Sequence, residues 1–218
     1  MSISDLLKFG GKRSDQSAGG ADAATARGPE TIVASKALPK FIAALSSTEA
    51  PVLVDFGPVI GSNVAFFGES LGCKLHIEDL AADLERHTRA GTREALPEAL
   101  TKRFPQADAS VDGILCWDIF DFLDKAAAQS LAREVVRVVR PGGAVMGFFC
   151  SSAAAHAPFT KFEIVNDTSL RHRPHAGGGG AKVVLQNRDI IRMFEGLTVA
   201  ESFLLKSNTR EILFRKRA

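Results

Sequence analysis

Residues 51–79 read PVLVDFGPVIGSNVAFFGESLGCKLHIED, and this stretch decides the fold. Val52–Phe56 is a short apolar run, the pattern of a strand covered on both faces. It leads into Asp55-Phe56-Gly57 and a tight loop. Gly61-Ser62 then opens a helix over Asn63–Leu71, closed by Gly72. A second apolar strand, Lys74–Glu78, ends on the acidic pair Glu78-Asp79. This is the layout of a nucleotide-type cofactor site. Glycines let the backbone turn and approach a ligand, the helix start offers free N–H groups, and an acid about 20 residues on can accept ribose hydroxyls. The loop departs from G-x-G-x-G at its middle position, Val59, and Pro58 removes a backbone donor beside it.

Outward from this unit, strand and helix alternate. Helical patterns cover Leu80–Ala90, ended by Gly91, and Glu94–Arg103 around Pro97. Gly113–Trp117 is a short apolar strand entered from Ser110-Val111-Asp112. The helix Ala126–Val139 follows, with Leu131, Val135 and Val138 at helical spacing and Asp124 as N-cap. Pro141-Gly142-Gly143 stops it before the strand Ala144–Cys150. Upstream, Ile32–Leu45 carries a helical pattern interrupted by Pro39. Downstream, Phe162–Val165 and Lys182–Leu185 are expected as arms of a small hairpin across a mobile glycine run, Gly177–Gly180, with His172 and His175 in an exposed loop. A helix at Asp189–Glu195 and two strands, Thr198–Leu205 and Glu211–Arg215, complete the chain with antiparallel pairing. Such alternation predicts a mostly parallel sheet with helices on both faces.

The 218 residues, 45% apolar, suit one sizeable core. We expect a domain over residues 31–218 behind a tail at 1–30, whose Gly, Ser, Ala and charges without periodicity predict disorder. Within the tail, Ile3–Phe9 reads either as a docking peptide for a protein partner or as a frayed terminus. A net charge of +2 is too mild to point to nucleic acid. No apolar run reaches the roughly 18 residues of a membrane span, and Met1–Gly20 lacks the apolar region of a signal peptide. Cys73, Cys116 and Cys150 lie scattered in strand-like contexts, which predicts buried free thiols and a cytoplasmic location, with no metal site.

The element order, Val54-Asp55-Phe56-Gly57, the acid at Glu78, the run Ser110–Asp118, the turn Arg137–Gly143 and the closing Glu211–Lys216 together resemble class I S-adenosylmethionine-dependent methyltransferases. The resemblance spans about residues 40–217. It implies a doubly wound, Rossmann-like sheet of seven strands, mostly parallel with an antiparallel last strand, and the cofactor S-adenosylmethionine at the topological switch point. Between Ala90 and Ser110 the family's third strand and its acid are not legible, so that strand is expected to be degenerate.

Carried onto this sequence, the resemblance makes Gly57 and Gly61 the outer glycines of the cofactor loop and Asp55 the acid that supports it. Glu78 becomes the ribose acceptor. Cys116, Trp117 and Asp118 fall at the exit of the fourth strand, where cofactor and substrate contacts are expected. Taken as residues alone, Asp118 reads equally as a helix cap, and Trp117 on a strand reads first as core. Arg133, Arg137 and Arg140 read as a solvated helix face. No catalytic base is assigned; Asp118 and His156 are placed for it by position only. Two functions stay open: methyl transfer to a small-molecule acceptor, or a catalytically inactive methyltransferase-like binding or scaffold protein.

Overall fold

The computed structural model describes residues 30–217, so the tail before residue 30, with Ile3–Phe9, lies outside the described residues. The elements run β1 (Thr31–Ala34), α1 (Leu38–Leu45), β2 (Val52–Asp55), α2 (Gly61–Val64), β3 (Lys74–Ile77), α3 (Leu80–Ala90), α4 (Leu96–Thr101), β4 (Val111–Trp117), α5 (Lys125–Val138), β5 (Val139–Cys150), β6 (Ala154–Asn166), β7 (Ser169–Lys182), α6 (Asn187–Met193), β8 (Leu197–Leu204) and β9 (Thr209–Lys216). The main sheet has the order β3-β2-β4-β5-β9-β8. β3, β2, β4 and β5 are parallel, and β9 lies antiparallel between β5 and β8.

Successive side chains on a strand point to opposite faces, so an unbroken apolar run demands a cover on each side. One face carries Val54, Ile114, Val145 and Ile212 against α3, α4, α5 and α6. The other carries Leu53, Leu115, Met146 and Leu213 against Leu38, Phe41 and Leu45 of α1 and Phe67 of the turn after α2. Helix ends follow local chemistry. Asp79 caps α3 by accepting from the Ala82 N–H, and Gly91 closes it with φ +67°. Asp124 caps α5 through the Ala127 N–H at 2.9 Å.

The doubly wound expectation holds, with six strands in the main sheet among the described residues rather than seven. Arg93–Ala95 and α4 occupy the segment where a third strand would run, and β3 is left as an edge. Three local expectations change. Thr31–Ala34 is a strand, not the start of a helix: its β-branched residues pair antiparallel with Ser169–His172. Pro39 therefore begins α1 instead of interrupting it, as a proline in the first turn can. The hairpin is also longer than expected. β6 and β7 turn at Asp167-Thr168, and the glycine run lies inside β7. A Cβ at Gly179 would come within 2.4 Å of the Ala157 carbonyl oxygen, so glycine is what permits this close pairing. His172 is accordingly a strand residue, half-buried against Phe162.

β1, β7 and β6 form a second, three-stranded sheet laid across the α1 side of the main one. Buried Asn63 in α2 ties it down, donating to the Phe162 carbonyl and accepting from the Ile164 N–H, both at 2.8 Å. Asn63→Ala would leave both backbone groups buried and unpartnered. We expect a loss of about 2–4 kcal/mol of unfolding free energy, measured by urea denaturation.

Candidate functional site

The carboxyl ends of β2, β3 and β4 meet at one end of the main sheet. Asp55, the last residue of β2, is buried, and its Oδ1 accepts the Gly57 N–H at 2.8 Å and the Trp117 indole N–H at 2.5 Å. Burial holds its carboxyl up at about 6 despite these two donors. Trp117 adopts φ +48° and stacks parallel to Phe162 with centroids 5.0 Å apart. A Cβ on Gly57 would come 2.9 Å from the indole nitrogen, so glycine is required beneath this ring. Beyond it the loop opens to solvent. Val59 is 73% exposed, so its side chain is not wedged beneath the loop, and nothing crowds Gly61 at the start of α2.

Glu78 follows β3, and its N–H donates to the Asp55 carbonyl at 2.8 Å, which places the two acids at adjacent strand ends. Its carboxylate is buried and paired: Oε2 meets Arg103 Nη1 at 2.5 Å, and Gln106 Nε2 reaches Oε1 at 3.4 Å. Arg103 also donates to the Glu78 carbonyl at 2.8 Å and to Asp83 Oδ2 at 2.9 Å. Asp79 is a helix cap, as expected.

At the exit of β4, Asp118 and Asp121 share one ammonium group. Lys182, at the end of β7, stands 3.1 Å from Asp118 Oδ2 and 3.3 Å from Asp121 Oδ2, with its Nζ 4.9 Å from the centre of the Phe122 ring. Asp121 also accepts the Cys150 N–H at 3.0 Å. Burial pushes both carboxyls up, Asp121 to about 6, because a single cation offsets it only in part. Cys116 points into the core, and burial raises its thiol well above the ordinary range. Cys73, Cys116 and Cys150 are all buried and free.

The sequence placed Asp55, Gly57, Glu78 and Asp118 at this end of the sheet and missed Arg103, Lys182 and Asp121. Lys182 was legible only as the first cation after the glycine run. The other family-like motif, Arg137–Gly143, lies at the opposite end. There Arg140 pairs with Asp112, which also accepts the Val52 N–H at 2.7 Å, and Arg137 pairs with Asp108 and Glu134. These partly exposed arginines tie strands and turns together. Two cavities lie away from Gly57 and Glu78. The larger, about 720 Å³, is lined by Leu123, Arg133, Val136, Leu185, Arg192 and Met193. The other, about 490 Å³, lies between Glu85 and Arg89 of α3 and His156, His175 and Gly178 of the hairpin.

The Asp121 carboxyl gives a pH dependence with a definite sign. Its pKa rises from 3.8 to about 6 on folding, so the folded chain keeps the proton to higher pH. Its contribution to stability is full below pH 3.8 and declines as pH rises to 6, by about 3 kcal/mol over the window. Unfolding free energies at pH 4.0 and 7.0 should show this decline in the natural protein and a shallower one in Asp121→Asn.

Residues 54–147 match the model of a methyltransferase domain. Among solved structures, the chain is similar to Burkholderia thailandensis 1,6-didemethyltoxoflavin-N1-methyltransferase, at 17% identity and TM-score 0.49, over 84% of this chain and 79% of that one. It is likewise similar to the CcbJ methyltransferase of Streptomyces caelestis, at 16% identity and TM-score 0.49, over 82% and 93%. A third is the glycopeptide N-methyltransferase MtfA, crystallised with S-adenosylmethionine, at 16% identity and TM-score 0.48, over 83% and 92%. No curated protein matches the chain. The matched stretch runs from β2 into β5 and contains the ends of β2, β3 and β4, so this part of the chain is similar to a methyltransferase domain.

Proposed function

We propose that this protein binds S-adenosylmethionine at the ends of β2, β3 and β4 and transfers its methyl group to a small-molecule acceptor. One observation carries the reading: Asp55 and Glu78 stand at adjacent strand ends, joined by the Glu78 N–H to Asp55 carbonyl bond, with the Gly57 N–H held by Asp55 beside the open start of α2. These groups suit the cofactor in kind. Glu78 would accept the ribose hydroxyls, Gly57 and Gly61 would let the backbone close on the methionine part, and Asp55 would keep the loop in shape.

When bound, the cofactor supplies an electrophilic methyl group on a sulfonium. The protein's part is then to position the acceptor in line and exclude water. Asp118 is held by Lys182 and is not a free base. His156, the other residue placed for a base by position, is exposed at the smaller cavity, away from Gly57 and Glu78. The fold suits a cytoplasmic protein, and no described helix is long and apolar enough to cross a membrane. We place the domain at 31–218 and assign the preceding tail to contact with a protein partner.

A second reading, a catalytically inactive scaffold, is favoured by the pairing of Glu78 with Arg103 and of Asp118 with Lys182. Calorimetric titration with S-adenosylmethionine and S-adenosylhomocysteine separates the two. Saturable binding, weakened by about 1–3 kcal/mol in Glu78→Ala, is expected of the enzyme. No heat up to millimolar ligand from folded protein is expected of the scaffold.

A further inference from the structure

Resting on the proposed cofactor site, we infer that Arg103 is a built-in competitor for it: the guanidinium occupies the Glu78 carboxylate that ribose hydroxyls would need, and cofactor affinity is set by the exchange between them.

Arg103 lies two residues past the end of α4, in the segment where the family's third strand and its acid are expected. Without that strand, β3 is the sheet edge, and the chain between α4 and β4 passes beside its carboxyl end. Arg103 turns back from there and grips Glu78 twice, by the side chain at 2.5 Å and by the carbonyl at 2.8 Å, while Asp83 Oδ2 takes its Nε at 2.9 Å. With Gln106 on Oε1, both oxygens of Glu78 have partners already.

The exchange is unequal. Ribose hydroxyls are neutral donors, whereas Arg103 holds the Glu78 carboxylate by a charge-assisted bond from Nη1 and anchors itself on the Glu78 carbonyl through Nη2. A ligand using Glu78 must therefore give up a stronger contact for a weaker one. The exchange is still feasible, because the Arg103 side chain is 37% exposed and can turn into water while keeping Asp83.

The test is titration calorimetry of the full chain with S-adenosylhomocysteine. Arg103→Gln should bind it at least about fivefold more tightly than the natural protein. Arg103→Lys, which keeps the charge without the fork, should fall between them and serves if the glutamine variant does not fold. In a Glu78→Ala background the Arg103→Gln gain should vanish. Equal or weaker binding by folded Arg103→Gln, with the natural protein binding normally, overturns the inference alone and makes Arg103 a support that orients Glu78. Binding by neither protein overturns both the cofactor reading and this one.

Discussion

The site end of the molecule depends on one buried carboxyl, that of Asp55. A single oxygen of it holds the Gly57 N–H and the Trp117 indole, and so joins the exits of β2 and β4. Trp117 accepts a left-handed backbone, a conformation that costs roughly 1–3 kcal/mol for such a residue. The indole bond to Asp55 and the parallel stack of Trp117, Phe162 and Phe148 hold it there. Phe162 belongs to β6, and its carbonyl receives the Asn63 amide from the helix that follows the Gly57 loop. The contacts thus form a closed ring: loop, Asp55, Trp117, β6, Asn63 and back to the loop. A change at any member is felt at the loop, which is why the added hairpin counts as part of the site.

Charge at this end follows a second constraint. Parallel strands bring Asp55, Glu78 and Asp118 to neighbouring ends, with Asp121 just beyond, and a buried carboxylate without a partner is expensive. Two cations answer this: Arg103 from the α4–β4 connection and Lys182 from the end of β7. The direct attraction in such pairs is largely offset by the loss of hydration. Their role is therefore to prevent uncompensated charge more than to add net stability. Asp55 has no cation among its described contacts, and burial holds its carboxyl up at about 6.

Much of this was legible in the sequence because it rests on local rules. The β2–loop–α2–β3 unit, the caps at Asp79 and Asp124, the Gly91 stop and the antiparallel end each follow from residue type and spacing within a few positions. The errors share one cause, pairing with distant residues. Thr31–Ala34 becomes a strand because β7 lies beside it, about 140 residues on, and its neighbour α1 lent it a helical look. The glycine run reads as a loop in isolation and is a strand because β6 lies close against it. Arg103 and Lys182 sit 25 and 64 positions from their acids, and no periodicity links such pairs.

The missing third strand ties the fold to the functional question. β3 is the sheet edge, and the chain after α4 passes its carboxyl end, where Arg103 and Gln106 reach Glu78. This arrangement removes the position from which the family would offer an acid and supplies an arginine instead, within reach of Glu78. Local backbone geometry around Asp55, Gly57 and Gly61 is compatible with a ligand, whereas the side chains across the cleft satisfy one another. The choice between enzyme and scaffold therefore lies in the edge of the sheet and what fills it, not in the glycine loop where the sequence first departs from the family pattern.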